Sequence, residues 1–190
     1  MPMKKMTPWK AMVSSVIAMV STTACGQSQM STTVPGTNTA AVEQNTWKQL
    51  TTNADAAAKR GDKAEAEQAY KDAMTEAEKL GANNPAQAEA IANLANFYYV
   101  QGAGGQADEL YKKSLALHEK NLGKEHVELV VDLVGLARVS NSQKKYAGAS
   151  AYYQRAIAIL KKAGRAVPAD VETEYGKAQS LASDESKQGS

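Results

Sequence analysis

Apolar residues recur along most of this chain at the three-and-four spacing of a helix face, broken at regular intervals by short glycine-bearing gaps. Ala66, Tyr70, Ala73 and Ala77 form one such stripe. Ala88, Ile91, Leu94, Ala95 and Tyr98 form a second, and Tyr111, Leu115 and Leu122 a third. Leu129, Leu133, Leu136 and Ala137 follow, then Ala149, Tyr153, Ala156, Ile157 and Leu160. No stretch alternates with the period of two that a strand requires, so the pattern predicts an all-α chain. Helices are expected from Trp47 to about Arg60 with Thr46 as N-cap, from the Gly61-Asp62 turn to about Leu80, and from Pro85 to the break at Gly102–Gly105. The next ends near Gly123, and a further one runs from about His126 to Asn141.

The stripes repeat. Leu94-Ala95 returns as Leu136-Ala137, Gln101 as Gln143, Ala107 as Ala149 and Tyr111 as Tyr153, each separated by 42 residues. A looser copy lies upstream, where Ala54, Gly61, Ala66 and Tyr70 precede Ala95, Gly102, Ala107 and Tyr111 by 41 residues. Gly164 followed by Pro168 opens a last half-copy as Gly81 and Pro85 open an earlier one, so the piece from Pro168 to about Leu181 reads as a capping helix. A period of this length implies a stacked array, because a helix pair cannot bury its apolar face until a neighbour covers it. The expected organisation is three repeats at about 47–82, 86–123 and 127–164, a cap over 168–182 and a disordered tail over 183–190. The first repeat is alanine-heavy and is expected to be the least stable.

Asn93-Leu94-Ala95, Tyr98, the Gly102–Gly105 turn, Ala107, Tyr111–Leu115 and Glu119–Gly123 with His126 resemble tetratricopeptide repeats, and the spacing resembles the kinesin-light-chain-like variant. The resemblance implies a right-handed superhelical stack of helix pairs. Ala95 with Ala107, and Ala137 with Ala149, would be the small residues where helices A and B cross, since a larger side chain would push the axes beyond roughly 8 to 10 Å. Tyr111 and Tyr153 would wedge against the following repeat. The helix A faces would line a concave groove, carrying Lys48, Thr51 and Asp55 from the first repeat, Asn93, Asn96 and Tyr99 from the second, and Val131, Val134 and Arg138 from the third. Asn93 matches an asparagine whose amide can bond both backbone groups of an extended peptide.

Val127, Val131 and Val134 form a second apolar stripe on the helix that already carries Leu129, Leu133 and Leu136. Either a guest segment of another protein covers that stripe, or the cap or a second copy of the chain does. The function expected is accordingly a non-catalytic protein-binding module, an adaptor or assembly factor. The alternative is a constitutive, self-associating subunit.

Composition changes the picture at the N-terminus. Of 22 basic and 20 acidic residues, Lys4, Lys5 and Lys10 stand in the first 24 positions with no acid, so the remainder is close to neutral and nucleic acid is not an expected partner. Those lysines, the apolar run Ala11–Val20 and the small residues before Cys25 have the three parts of an export signal over 1–24. The run is shorter than the about 20 residues needed to span a bilayer. Cys25 is the sole cysteine, which excludes an intramolecular disulfide, and its place resembles a bacterial lipobox with Thr22 where Leu is usual. The resemblance implies lipidation of Cys25 and a membrane anchor; Gly26 in place of an inner-membrane-retaining Asp favours the outer membrane. Ordinary cleavage after Ala24, leaving a free thiol, is the alternative. Gly26 to Asn45, rich in Ser, Thr, Gln and Asn, reads as a flexible spacer with too little to bury.

Chemistry-bearing residues are few. Two histidines and one cysteine suggest neither a metal site nor a nucleophilic triad, and no cofactor is expected. His126 is read as a loop capping or packing residue and His118 as a surface side chain. Tyr98-Tyr99 and Tyr152-Tyr153 are read as packing residues, because no basic patch surrounds them.

Overall fold

The computed structural model describes residues 39–81 and 84–188, and every regular element in them is α-helix. The order is α1 (Thr39–Arg60), α2 (Lys63–Lys79), α3 (Ala86–Val100), α4 (Gly104–Leu122), α5 (Leu129–Ser142), α6 (Tyr146–Lys162) and α7 (Ala169–Gln188). α1 packs on α2, α3 on α4 and α5 on α6. Successive pairs join through α2 against α3 and α4 against α5, and α7 lies on α6. This is the helical repeat stack that the 42-residue period implies.

The crossing positions are occupied by small residues. Ala54, Ala66, Ala95, Ala107, Ala137 and Ala149 are all completely buried. The three periodic tyrosines hold equivalent posts on the second helix of each pair and face the first helix of the next. The Tyr70 ring lies 5.3 Å from that of Phe97 on α3, Tyr111 packs on Gly135 of α5, and the Tyr153 hydroxyl donates to Glu174 Oε2 of α7 at 2.5 Å. Tyr70 also donates to Asp55 of its own repeat.

The turn inside each repeat has one backbone design. Just past the first helix one residue adopts a left-handed conformation so that its N–H and the next can return to the last helical carbonyls. Gly61 (φ 86°) and Gly102 (φ 78°) do this without steric cost, and in the third repeat Lys144 does it at φ 60°.

Several boundaries differ from the expected ones. α1 starts at Thr39, so Thr46 lies inside the helix and does not cap it, and the end of the expected spacer is helical. That stretch contains Ala, Glu and Gln and no Gly or Pro, so its helix propensity permits the earlier start. The turn between α3 and α4 closes at Gly102-Ala103, while Gly104 and Gly105 form the first turn of α4. α5 starts at Leu129, with His126–Glu128 in the preceding turns. α7 continues through the expected tail to Gln188; Ser183 Oγ bonds to the Gln179 carbonyl at 2.9 Å, and nothing in the stretch breaks a helix. The apolar face of α7 ends with Ala178, and residues 183–187 are exposed. The signal, Cys25 and the spacer up to residue 38 lie outside the described residues. No helix among the described residues is long and apolar enough to cross a membrane.

Candidate protein-binding groove

α3 and α5, the first helices of neighbouring repeats, run side by side over α4 and leave a groove between them. Its larger part is a cavity of about 410 Å³ lined by Asn93 and Asn96 of α3, Tyr111 of α4, and Val131, Val134 and Arg138 of α5, and closed at one end by Pro168, Asp170 and Val171. A second cavity of about 260 Å³ adjoins it toward the N-terminal turns of α3 and α5. It shares Asn93 and Val131 and adds Glu89, His118 and Glu128.

Five of the nine residues expected on the groove therefore share one wall-and-floor arrangement: Asn93, Asn96, Val131, Val134 and Arg138. The other four do not line it. Lys48 lies with its ammonium 5.4 Å from the Trp47 ring centre, in a separate cavity of about 270 Å³ beside Leu80 and Asn84. Asp55 is exposed and accepts the Tyr70 hydroxyl, and Tyr99 is half-buried against the core shared by the first two repeats. Thr51 bonds within its own helix, to the Trp47 carbonyl at 3.0 Å.

The second apolar stripe of α5 is split by the cap. Val134 is 9% exposed and belongs to the cluster with Val171 of α7, whereas Val131 is 61% exposed and faces the groove. Arg138 is not a free cation for a partner. Its Nε donates to Glu174 Oε2 at 2.9 Å and its Nη2 to Asp170 Oδ2 at 2.8 Å, so α7 holds it, and Glu174 also takes the Tyr153 hydroxyl. One charged residue thus docks the cap onto α5.

His118 corrects the expectation of a surface side chain: it is 4% exposed, and its Nδ1 lies 2.6 Å from Oδ2 of the fully buried Asp132. The partner comes from α5, fourteen residues on, and not from neighbouring Glu119. The signal was present in the spacing, because Tyr111, Ser114 and His118 stand at i, i+3 and i+7 on one face of α4, and Asp132 stands three residues after Leu129 in the core stripe of α5. Ser114, on the same face, ties α4 to α3 within the second repeat by donating to the Ala88 carbonyl at 2.7 Å. Burial raises the Asp132 carboxyl, and the bond to His118 pulls it back down. Burial likewise pushes the Tyr111 hydroxyl up to about 12.

Gly135 is a further residue that sequence reading passes over. A Cβ there would stand 2.3 Å from the Tyr111 ring, so the tyrosine lies directly on the α5 backbone and forms part of the groove floor. His126 accepts the Glu128 N–H at 3.4 Å in the turn before α5, a local packing role. Among the described residues no group of three or more His, Cys, Asp or Glu is placed to hold a metal ion.

Residues 87–162, which contain both walls of the groove, match the tetratricopeptide-repeat family. No curated protein matches the chain. Among solved structures the chain is similar to BtubC (BKLC) from P. vanneervenii, with a TM-score of 0.63 and 21% identity over 77% of this chain and 65% of that one. It is similar also to a Podosopora anserina protein described as a putative kinesin light chain with nearly identical TPR-like repeats (TM-score 0.63, 21% identity, 72% of this chain and 66% of that one). A substituted form of the same protein gives a TM-score of 0.64 with the same identity and coverage. The chain thus spans just under two thirds of the length of these structures. Tetratricopeptide repeats are protein-interaction modules, characteristically scaffolds rather than catalysts. Residues 87–162 are thus a stretch of tetratricopeptide repeats, and the described residues share the fold of solved kinesin-light-chain-like repeat proteins.

Proposed function

We propose that this protein is a non-catalytic adaptor or assembly factor of a bacterial envelope, held to a membrane through a lipid on Cys25, that grips an extended segment of another protein between α3 and α5. The observation that carries the binding reading is Val131, an apolar side chain 61% exposed inside a groove whose opposite wall offers the amides of Asn93 and Asn96. An exposed apolar residue flanked by groups able to pair with a peptide backbone suits a guest chain better than bulk water. The tether reading rests on Lys4, Lys5, Lys10, the apolar run to Val20 and the lone Cys25. Several acyl chains hold a protein at a bilayer far better than one.

A photo-crosslinking residue at position 131 in living cells is expected to trap one protein, and the adduct is expected to vanish when Asn93 and Asn96 are changed to Ala. An adduct that survives those changes undiminished would remove the groove reading. Mass spectrometry of the native N-terminus is expected to show acylated Cys25, and an unmodified thiol would remove the membrane assignment. The same exposed Val131 supports a second reading, self-association as a structural subunit. Sedimentation of the purified chain separates the two, since a dimer abolished by Val131→Ser would favour the second.

A further inference from the structure

The smaller cavity at the N-terminal end of the groove has a chemical character of its own. Glu89 and Glu128 stand on opposite walls, both exposed, and the side chain of neither has an ion-pair or hydrogen-bond partner among the described residues. Between them His118 reaches up from α4. Its Nδ1 is engaged by Asp132, its Nε2 has no partner among the described residues, and its ring is the part of α4 that lines the cavity. Two carboxylates therefore converge on one space, with the His118 ring and the Asn93 amide beside them, and no cationic side chain lines that space. Arg138, in the other half of the groove, is consumed by Asp170 and Glu174, and Lys48 lies over Trp47 in the adjoining cavity that Glu89 also borders, without an ion pair to Glu89.

A site built from acceptors asks for a donor carrying positive charge. We propose that this end of the groove receives a Lys or Arg side chain of the partner segment, its cation between Glu89 and Glu128 over His118, with an apolar side chain of the same segment against Val131. An extended chain sends side chains i and i+2 to one face about 7 Å apart. Glu128 and Val131 are one helical turn apart in sequence, so a basic residue two positions from an apolar one reaches both. This rests on the reading of the groove as a peptide receptor and adds the chemistry of its guest. The acids also sit at helix N-terminal ends, where charge steadies the helix, and removing them there leaves the packed core untouched.

The test is a selection of randomised nonapeptides on the purified chain. The expected result is enrichment of Lys or Arg over Asp or Glu at one register, two positions from an aliphatic or aromatic residue. For the best peptide, binding is expected to weaken about tenfold or more in the E89Q/E128Q double variant, with melting temperature nearly unchanged, and about tenfold when its basic residue becomes norleucine. No enriched peptide, or enriched peptides insensitive to both the acid pair and N96A/V131S, would overturn the groove reading and this proposal with it. Peptides that need Asn96 and Val131 but show no basic preference, prefer acids, or bind E89Q/E128Q undiminished would overturn this proposal alone.

Discussion

Among the described residues of the first repeat, Trp47 and Tyr70 are the only large side chains that are buried, and Ala54, Ala57, Ala66, Ala73 and Ala77 fill the remaining core positions. In the third repeat the corresponding space is filled by Leu129, Leu133, Leu136, Val139, Tyr153, Ile159 and Leu160. Each buried methylene is worth about 0.8 kcal/mol, so the same helix-pair geometry is held far more firmly at one end than at the other. The junctions differ too. The first repeat meets the second through Tyr70 on Phe97 and through two bonds that solvent reaches, Tyr98 to Glu67 at 2.8 Å and Gln87 to Glu78 at 3.2 Å, whereas the second meets the third through the buried His118–Asp132 pair and Tyr111 pressed on Gly135. The groove stands on the second junction. In a stack whose units contact only their neighbours, the binding surface lies on the better-fastened interface and the loosely packed repeat is left toward the N-terminal segment.

The largest expected effect is at the buried pair. His118→Leu leaves the Asp132 carboxylate without its partner and is expected to cost about 3 to 5 kcal/mol in urea unfolding, while His118→Leu with Asp132→Leu recovers most of it. Without His118 the folded-state pKa of Asp132 rises further above its unfolded value, so the single variant keeps its stability at low pH and loses it as pH rises through that folded pKa. A defect that deepened on acidification would contradict this account of the junction.

Next in size is the contrast between repeats. Leu133→Ala is expected to cost about 2 to 5 kcal/mol, against about 1 kcal/mol for Ala73→Gly in the first repeat. Amide hydrogen exchange is expected to open α1 and α2 before α5 and α6, and the reverse order would break the comparison. Gly135→Ala, which drives a methyl group into the Tyr111 ring, is expected to cost about 1 to 3 kcal/mol, and Tyr111→Leu in the same chain is expected to return part of that. Smallest and of opposite sign, Lys144→Gly relieves the left-handed turn of the third repeat and is expected to stabilise the chain by about 1 kcal/mol, read as a rise in melting temperature.

The tyrosines at 70, 111 and 153 and the alanine pairs at the crossings were legible in the sequence because a repeat prints its packing at fixed intervals. The groove was half legible. Asn93, Asn96 and Val131 follow from helix register, but Val134 and Arg138 are claimed by α7, and no local pattern says which face of α5 the cap will take. His118 was misread, and Asp132 passed over, for a related reason. Polar residue types suggest exposure, and only a partner from another helix, at 2.6 Å, makes their burial tolerable. The start of α1 was placed too late, since polar composition was weighed there above helix propensity.

Periodicity, helix faces and the residues at each crossing were determined by the sequence alone, because they depend on neighbours three, four or forty-two positions away along the same pattern. Which carboxylates were spent and which were left over was decided only by the tertiary structure. Charge pairing in a helical stack is settled between helices, and so Arg138 was drawn to the cap while Glu89 and Glu128 were left facing the groove.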